Sequence, residues 1–187
     1  ATELDKYKNH IGFERKKQDI LVFIDENAAA LESSESEYGI PKELVASVIG
    51  IESLFGKFTG RHIAFNVYVS MYVKNYRRTF ALAQLEELLA FSKKRGEDVY
   101  TYNSSYAGAI GAMQFLPWSL NRWFVGSDVA SLDDGIRSVA NYLAHFKKQR
   151  GTLEKAVYAY NPSKLYTQTV LDLAAWAGEA RGIRDTE

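Results

Sequence analysis

The 187-residue chain has no cysteine, only three prolines and no long apolar run. The absence of cysteine excludes disulfides and thiolate metal sites. No apolar segment approaches the roughly 20 residues needed to span a bilayer, so no transmembrane segment is predicted. Because proline is scarce, several stretches of helical periodicity run uninterrupted, and they favour an all-α domain with little or no β-sheet.

The chain also lacks an excess of charge of either sign, because 23 basic residues balance 23 acidic ones. A net charge of zero gives no overall field that would attract nucleic acid or an anionic membrane. A neutral partner such as a sugar fits this balance better than a polyanion does. With 47% hydrophobic and 25% charged residues, the composition is that of an ordinary globular protein. We expect one domain, a monomer, and no nucleic-acid partner.

Histidines are few and scattered, and His10, His62 and His145 have no metal-ligand spacing. The run 133–135 lacks the alternating ligands of a calcium loop, and we interpret it as negative charge at a helix N-terminus. The sequence has no GxSxG, Walker or GxGxxG pattern. We therefore predict no metal and no cofactor.

The helix signals divide the chain into successive segments. The first 38 residues suit one long helix, with Gly39 as its C-terminal stop and Pro41 at the start of a second helix that runs to about Phe55. Further helices are predicted at Thr79–Arg95, from a capping box at Ser131 and Asp134 to Gly151, from Thr152, and from Ser163 to about Glu179.

One segment carries a different period. From Phe65 to Val73, apolar residues alternate with Asn66, Tyr68, Ser70 and Tyr72. Strict alternation is typical of a half-buried strand. The pattern alone therefore predicts β-structure here.

Glu52 interrupts an apolar helix face. Val45, Val48, Ile49 and Glu52 stand at i, i+3, i+4 and i+7, so a carboxylate ends an otherwise apolar stripe. Burial of that carboxylate would raise its pKa and retain its proton, as a general acid requires near neutral pH. Periodicity alone favours the alternative, a helix-end glutamate that turns into solvent.

A run of small residues and a large supply of tyrosine are the other candidates for a binding site. Ala107–Ala112 allows close backbone approach, with Ser105 and Gln114 beside it, although a tight helix crossing explains the small residues equally well. The chain has 12 tyrosines, and several, such as Tyr142 and Tyr160, stand beside asparagine. Amphipathic rings suit the faces of sugars, but most of them would serve equally as core aromatics.

Four motifs in this order carry a resemblance to a known family: Ile51–Ser53, Ser105–Pro117, Val139–Tyr142 and Ala159–Asn161. Together they resemble the lytic transglycosylases, and most closely the membrane-bound lytic transglycosylase B type, over about residues 41 to 180. The resemblance implies a lysozyme-like, mainly α-helical fold in which the alternating segment 65–73 is helical. We expect residues 1–187 to form a single catalytic domain, with residues 1–38 as a helical extension packed on it.

The resemblance also implies an activity and a substrate. Enzymes of this family cleave the β-1,4 bond between N-acetylmuramic acid and N-acetylglucosamine in peptidoglycan and leave 1,6-anhydro-muramoyl ends. Glycan strands of peptidoglycan would be the partner. The location would be the periplasm or cell envelope, and the export signal would be absent from this chain. The resemblance is compatible with a lipid anchor on the full-length protein. The matching site residues are Glu52 as the single catalytic acid/base, and Ser105, Gln114, Tyr142, Tyr160, Asn161 and Tyr166 as substrate-binding residues.

Two departures from the family pattern matter. The family motif usually reads Gly-Tyr-Gly-Gln-Phe where this chain has Gly111–Phe115, which reads Gly-Ala-Met-Gln-Phe, so contacts with the glycan are expected to differ there. The family's calcium loop has no counterpart, because Asn121–Leu132 is too short and lacks the ligands. The alternatives are a goose-type lysozyme-like hydrolase, a catalytically silent glycan-binding domain, and a helical interaction module without a glycan site.

Overall fold

The computed structural model describes residues 1–184, and in that range the chain is almost entirely helical, as predicted. None of the helices in this range combines the length and the hydrophobicity that a membrane-spanning helix requires. The sheet within residues 1–184 is a short antiparallel pair of strands, in which His62 lies opposite Ser104. The elements are α1 Glu3–His10, α2 Phe13–Glu26, α3 Ala28–Tyr38, α4 Lys42–Ser53, β1 His62–Ile63, α5 Ala64–Val73, α6 Arg78–Arg95, a 3₁₀ turn Val99–Thr101, β2 Asn103–Ser104, α7 Pro117–Trp123, α8 Leu132–Arg150, α9 Leu153–Tyr160 and α10 Lys164–Arg184.

Helix α4 lies at the centre of the core, and every residue from Leu44 to Gly50 is buried. Helices α2, α3, α8 and α10 pack around it. A helix surrounded in this way must be apolar on all sides. Its polar exception, Ser47, is fully buried and donates its hydroxyl to the carbonyl of Val170 at 2.8 Å. Helix α4, which carries Glu52 near its C-terminal end, is therefore held in place by the four helices around it.

The N-terminal segment is not one long helix, and in this respect the sequence prediction was wrong. Gly12 adopts a left-handed conformation with φ 68°, and Asn27 has φ −116° and ψ 25°, so the helical path breaks at both residues. Periodicity could not show these breaks, because the apolar positions keep helical spacing within each piece. The breaks fold α1 back onto α10, where Lys8 pairs with Asp172 at 2.5 Å.

The segment 65–73 is a helix, so the strand predicted from alternation was wrong and the conformation implied by the resemblance is confirmed. Tyr68 is completely buried, and its hydroxyl donates to the carbonyl of Gly108 at 2.6 Å. Ala64, Tyr68 and Met71 follow helical spacing and pack on the core. The segment carries both the alternating period of a strand and the spacing of a helix, and packing against α6 selects the helix.

The start of α8 differs in one detail from the predicted capping box. The Ser131 hydroxyl accepts from the N–H of Asp134, which is the expected half of the motif. The Asp134 carboxylate instead accepts from the N–H groups of Ser127 and Asp128, at 3.0 Å each. It orders the preceding loop rather than closing the box.

Two glycine substitutions test the helix boundaries in opposite directions. Gly39 ends α3 with φ 67°, whereas Gly178 is exposed within α10, and neither has a heavy atom within 4 Å of an added Cβ. Gly39→Ala should lower the free energy of unfolding by about 1 kcal/mol, because a left-handed alanine is strained. Gly178→Ala should raise it by about 0.5–1 kcal/mol, since alanine favours the helix. Urea unfolding measures both, and equal effects of the two variants would contradict the assigned boundaries.

Candidate active site

Glu52 lies in the last turn of α4, and the chain directly after it makes an unusual turn. Leu54 and Phe55 both have positive φ, at 50° and 60°. The turn brings the Phe55 ring back onto Gly50, where there is no room for a Cβ. Phe55 is buried and contacts Phe23, with 5.2 Å between ring centroids. This packing supports two strained residues and fixes the end of the helix that carries Glu52.

Ser53 ties the end of α4 to the small-residue loop. Its buried hydroxyl donates to the carbonyl of Ala112 at 2.7 Å and accepts from the N–H of Gly56 at 3.1 Å. This bond attaches the loop, at Ala112, to the end of the helix that carries Glu52. The proximity of Ser105 and Gln114 to the carboxylate stays a prediction.

Tyrosines surround the carboxylate of Glu52. Tyr166 of α10 donates its hydroxyl hydrogen bond to Glu52 Oε1 at 2.6 Å. Tyr160, at the end of α9, donates to the carbonyl of Met113 at 2.5 Å. Burial and the nearby charge of Glu52 raise the pKa of both tyrosines well above the usual value. Both hydroxyls are therefore neutral hydrogen-bond donors at physiological pH.

Burial raises the pKa of Glu52 from 4.5 to about 7, although the hydrogen bond from Tyr166 opposes that rise by favouring the carboxylate. The side chain remains partly open to solvent. A carboxyl group with a pKa near 7 is present in both protonation states at neutral pH. It can therefore donate a proton in one step and accept one in the next.

Ser105 and Gln114 order the loop between them. The Ser105 hydroxyl oxygen lies 3.2 Å from the N–H groups of Ala107 and Ala109. Gln114 has φ 51°, and its side-chain amide donates to the carbonyls of Gly111 at 2.9 Å and Thr59 at 3.3 Å. Both residues are partly exposed. Their contact with a glycan remains a prediction, while their role in shaping the loop is visible in the structure.

Tyr142 is embedded in the core. Its hydroxyl donates to the carbonyl of Ala159 at 2.8 Å, and its ring lies 4.7 Å from that of Tyr160, centroid to centroid. It therefore supports Tyr160 from behind. Asn161, which directly follows α9, is exposed. The substrate contacts predicted for both residues stay predictions, and the geometry favours Asn161.

Tyr7 was missed by sequence analysis. Burial and the charge of Glu52 raise the pKa of Tyr7, and Tyr7 in turn acts on the pKa of Tyr166. The fold-back of α1 onto α10 places this tyrosine near the carboxylate. No motif marks Tyr7, and the only signal was a lone aromatic ring among charged and polar neighbours in Glu3–His10.

Comparison with solved structures defines the fold. Soluble lytic transglycosylase SltB1 from Pseudomonas aeruginosa shares the fold with a TM-score of 0.87 and 21% identity, over 97% of this chain and 85% of that chain. The Escherichia coli lytic transglycosylase Slt35, solved in complex with bulgecin A, gives a TM-score of 0.82 with 20% identity over 95% of this chain and 78% of that chain. The fold is therefore that of the lytic transglycosylases.

The chain belongs to the transglycosylase SLT domain family, whose sequence profile matches residues 1–155. Membrane-bound lytic murein transglycosylase B of Escherichia coli strain K12 is 30% identical to it over 132 residues. That match covers 67% of this chain and 37% of the Escherichia coli protein, so the chain spans well under half of that relative.

No group of three or more histidine, aspartate or glutamate side chains within residues 1–184 is arranged to hold a metal ion. The Asp133–Asp134 pair lies in the first turn of α8, and Asp134 is engaged by the backbone of the preceding loop. A metal-free site stays a prediction for this chain.

Replacing Glu52 by glutamine should stabilise the protein in a way that depends on pH. The folded-state pKa of about 7 exceeds the ordinary 4.5, so between these pH values the folded protein binds more protons than the unfolded chain. Wild-type stability should therefore fall as pH rises from 4.5 to 7, and the advantage of Glu52→Gln should grow to about 1–3 kcal/mol. Chemical unfolding at several pH values measures this, with the exposed Glu86→Gln as control. A constant difference across the range would contradict the assigned burial.

Tyr166→Phe should raise the pKa of Glu52 further. The lost hydroxyl is the hydrogen-bond donor that favours the carboxylate, and its removal leaves burial unopposed. NMR titration of the glutamate side-chain carbon reports this pKa directly. Tyr158→Phe, at an exposed tyrosine of α9, should leave it unchanged. A lowered or constant value in Tyr166→Phe would show that the hydroxyl does not stabilise the carboxylate.

Proposed function

We propose that this protein is a lytic transglycosylase that cleaves the β-1,4 bond between N-acetylmuramic acid and N-acetylglucosamine in peptidoglycan and forms 1,6-anhydro-muramoyl ends. The observation that carries the proposal is a single carboxyl group, Glu52, with a pKa near 7 and a tyrosine hydroxyl 2.6 Å from it. Family membership supports it, as does the name of the Escherichia coli relative, a lytic murein transglycosylase. One structural relative, SltB3 from Pseudomonas aeruginosa, was solved with NAG-anhNAM-pentapeptide.

The chemistry uses Glu52 twice. In its protonated form it donates to the glycosidic oxygen, and the C1–O bond breaks as the leaving sugar takes that proton. The resulting carboxylate then accepts the proton of the muramoyl C6 hydroxyl while the C6 oxygen bonds to C1. The ring closes, Glu52 is protonated again, and no water is consumed. The Tyr166 hydroxyl stabilises the intermediate carboxylate.

The single carboxylate favours this reaction over hydrolysis. Ordinary glycosidases use two carboxyl groups, about 5–9.5 Å apart, as acid and nucleophile or as acid and base. Within the described residues, the groups that share the electrostatic environment of Glu52 are the tyrosines Tyr7, Tyr160 and Tyr166, and no second carboxylate shifts its pKa. A goose-type hydrolase has the same fold but delivers a water molecule, and nothing observed at Glu52 favours it.

The remaining site residues fit roles in binding. Ser105, Gln114 and Asn161 offer polar groups to the glycan, and Ser105 or Asn161 would orient the N-acetyl group that stabilises the developing cation. Tyr142 acts by supporting Tyr160. A monomer that acts on peptidoglycan strands in the periplasm or cell envelope, without a metal ion, completes the proposal.

Glu52→Gln tests the proposal on purified peptidoglycan. The amide keeps the shape of the side chain but cannot exchange the proton, so turnover should fall by about 10²- to 10⁴-fold or more. Wild-type activity should also fall above about pH 7, because the acid loses its proton. Mass spectrometry of the products gives both rates and product type, with Glu86→Gln as the matched control and melting temperature as the check on folding.

The product type separates the alternatives. Products with 1,6-anhydro-muramoyl ends support the transglycosylase, whereas products with reducing ends would identify the protein as a hydrolase. If the folded wild-type protein releases no products, the remaining alternative is a glycan-binding domain. Near wild-type turnover by Glu52→Gln would falsify the role of Glu52.

A further inference from the structure

An open pocket lies between α9 and α10, with the end of α8 on one side. Its volume is about 690 Å³, which is within the usual range of ligand sites. Tyr158 of α9 lines it, and so do Thr167 and Gln168 near the start of α10. The residues predicted for catalysis or for glycan binding are not among those that line it. The pocket is therefore a candidate site for a ligand other than the glycan.

Positive charge predominates in this pocket. It is lined by Arg150 at the end of α8, Lys155 of α9 and Lys164, the first residue of α10, together with one carboxylate, Glu154. All four are exposed, and among residues 1–184 none of them forms an ion pair. Three cations against one carboxylate leave a local excess of positive charge in a chain whose net charge is zero. Such an excess favours an anionic ligand.

Packing holds Arg150 beside α9. Its guanidinium carbon lies 5.1 Å from the centroid of the Phe146 ring. Burial raises the pKa of Tyr142 to about 12, and the nearby charge of Arg150 opposes that rise. The Tyr142 hydroxyl in turn donates to the carbonyl of Ala159 in α9. A guanidinium restrained in this way loses less conformational entropy when it binds an anion.

The N-terminus of α10 adds to the positive potential. This helix has 21 residues and begins at Lys164. Ser163 precedes it, and its hydroxyl accepts from the N–H of Tyr166 at 3.3 Å. The pocket residues Lys164, Thr167 and Gln168 follow within the first five residues of the helix. Because a helix N-terminus favours negative charge, and phosphate in particular, it supports the site that the three side-chain cations indicate independently.

We propose that this pocket, the α9–α10 pocket formed by Arg150, Lys155, Lys164, Tyr158 and Gln168, binds the phosphate group of a soluble phosphate ester. A phosphomonoester carries up to two negative charges and three acceptor oxygens, which suit a guanidinium fork and two ammonium groups better than a carboxylate with two oxygens does. The volume leaves room for the organic part of the ester against the ring of Tyr158, which is 40% exposed. The proposal does not rest on the proposed function.

The affinity is expected to be modest, because exposed ion pairs each contribute little. A small phosphate ester should bind with a dissociation constant on the order of 1 mM. Loss of two of the three cations should weaken binding about three- to tenfold, whereas loss of the Glu154 charge should tighten it about two- to threefold. Added salt should weaken binding, since the charged groups are open to solvent.

An amide NMR titration of the 187-residue chain tests the proposal. Glycerol 1-phosphate is the probe, with acetate and glycerol as the carboxylate and neutral controls at constant ionic strength. Amide signals in the range 150–168 should shift and saturate with glycerol 1-phosphate, and neither control should saturate them at the same concentrations.

Charge variants identify the residues that bind. Arg150→Gln/Lys164→Gln should weaken binding about three- to tenfold, and Glu154→Gln should tighten it about two- to threefold. The matched control is Lys147→Gln/Lys148→Gln, which removes two cations from the last turn of the same helix α8 that do not line the pocket. It should leave the dissociation constant unchanged. Melting temperatures verify that the variants are folded.

The outcomes separate a pocket from general attraction to positive charge. Shifts that do not saturate, equal affinity for acetate, an unchanged dissociation constant in Arg150→Gln/Lys164→Gln, or equal weakening in Lys147→Gln/Lys148→Gln would overturn the proposal. A lipid headgroup is the other source of the same phosphate chemistry, so vesicles of phosphatidylglycerol and of phosphatidylcholine form a second arm. Sedimentation with phosphatidylglycerol vesicles, without saturable binding of glycerol 1-phosphate, would also overturn it and would indicate a membrane contact. Because no turnover is measured, each result is independent of the activity on peptidoglycan.

Discussion

The site depends on one constraint, the placement of a carboxyl group at the end of a helix that is otherwise buried on every side. Ionised Glu52 would lose hydration without gaining a cation, so the fold raises its pKa to about 7. The hydrogen bond from Tyr166 offsets part of that cost and fixes the direction of the side chain. A group with this pKa exchanges protons readily near neutral pH, and the same burial that costs stability therefore provides the chemistry.

Much of the surrounding structure serves to hold the end of α4 in place. Phe55 folds back onto Gly50, which has no side chain to prevent it, and supports two residues with positive φ. Ser53 connects the helix end to the Ala112 carbonyl, and Tyr160 connects α9 to the Met113 carbonyl. These bonds reach the loop through backbone carbonyls, so the chemical identity of residues 112 and 113 matters less to the position of the loop. The departure of this chain from the usual family motif there is compatible with an intact site.

The loop has two faces with different chemistry. On one side, Ser105 and Gln114 hydrogen-bond to backbone groups of the loop and of Thr59, and their contact with a glycan is a prediction. Toward α5 the loop borders a pocket that is lined by the cations Arg61, Lys74 and Arg77. The zero net charge of the chain conceals this division, because charge at a site is set by which residues the fold brings together and not by the total.

The sequence by itself determined the helical class and the ends of several helices, because these depend on local periodicity and on capping residues such as Ser131 and Gly39. It indicated Glu52 as the candidate acid through short ordered motifs, because periodicity alone favoured a solvent-facing side chain. Local information failed where two signals competed. Residues 65–73 carry both a strand and a helix period, and only packing of Tyr68 under α6 selects the helix. The break at Gly12 and the approach of Tyr7 to Glu52 were decided by tertiary structure alone, because contact between α1 and α10 joins residues more than 150 positions apart, as in the pair Lys8–Asp172 with a separation of 164. No local pattern encodes such a contact, since its free energy arises only once the core has formed.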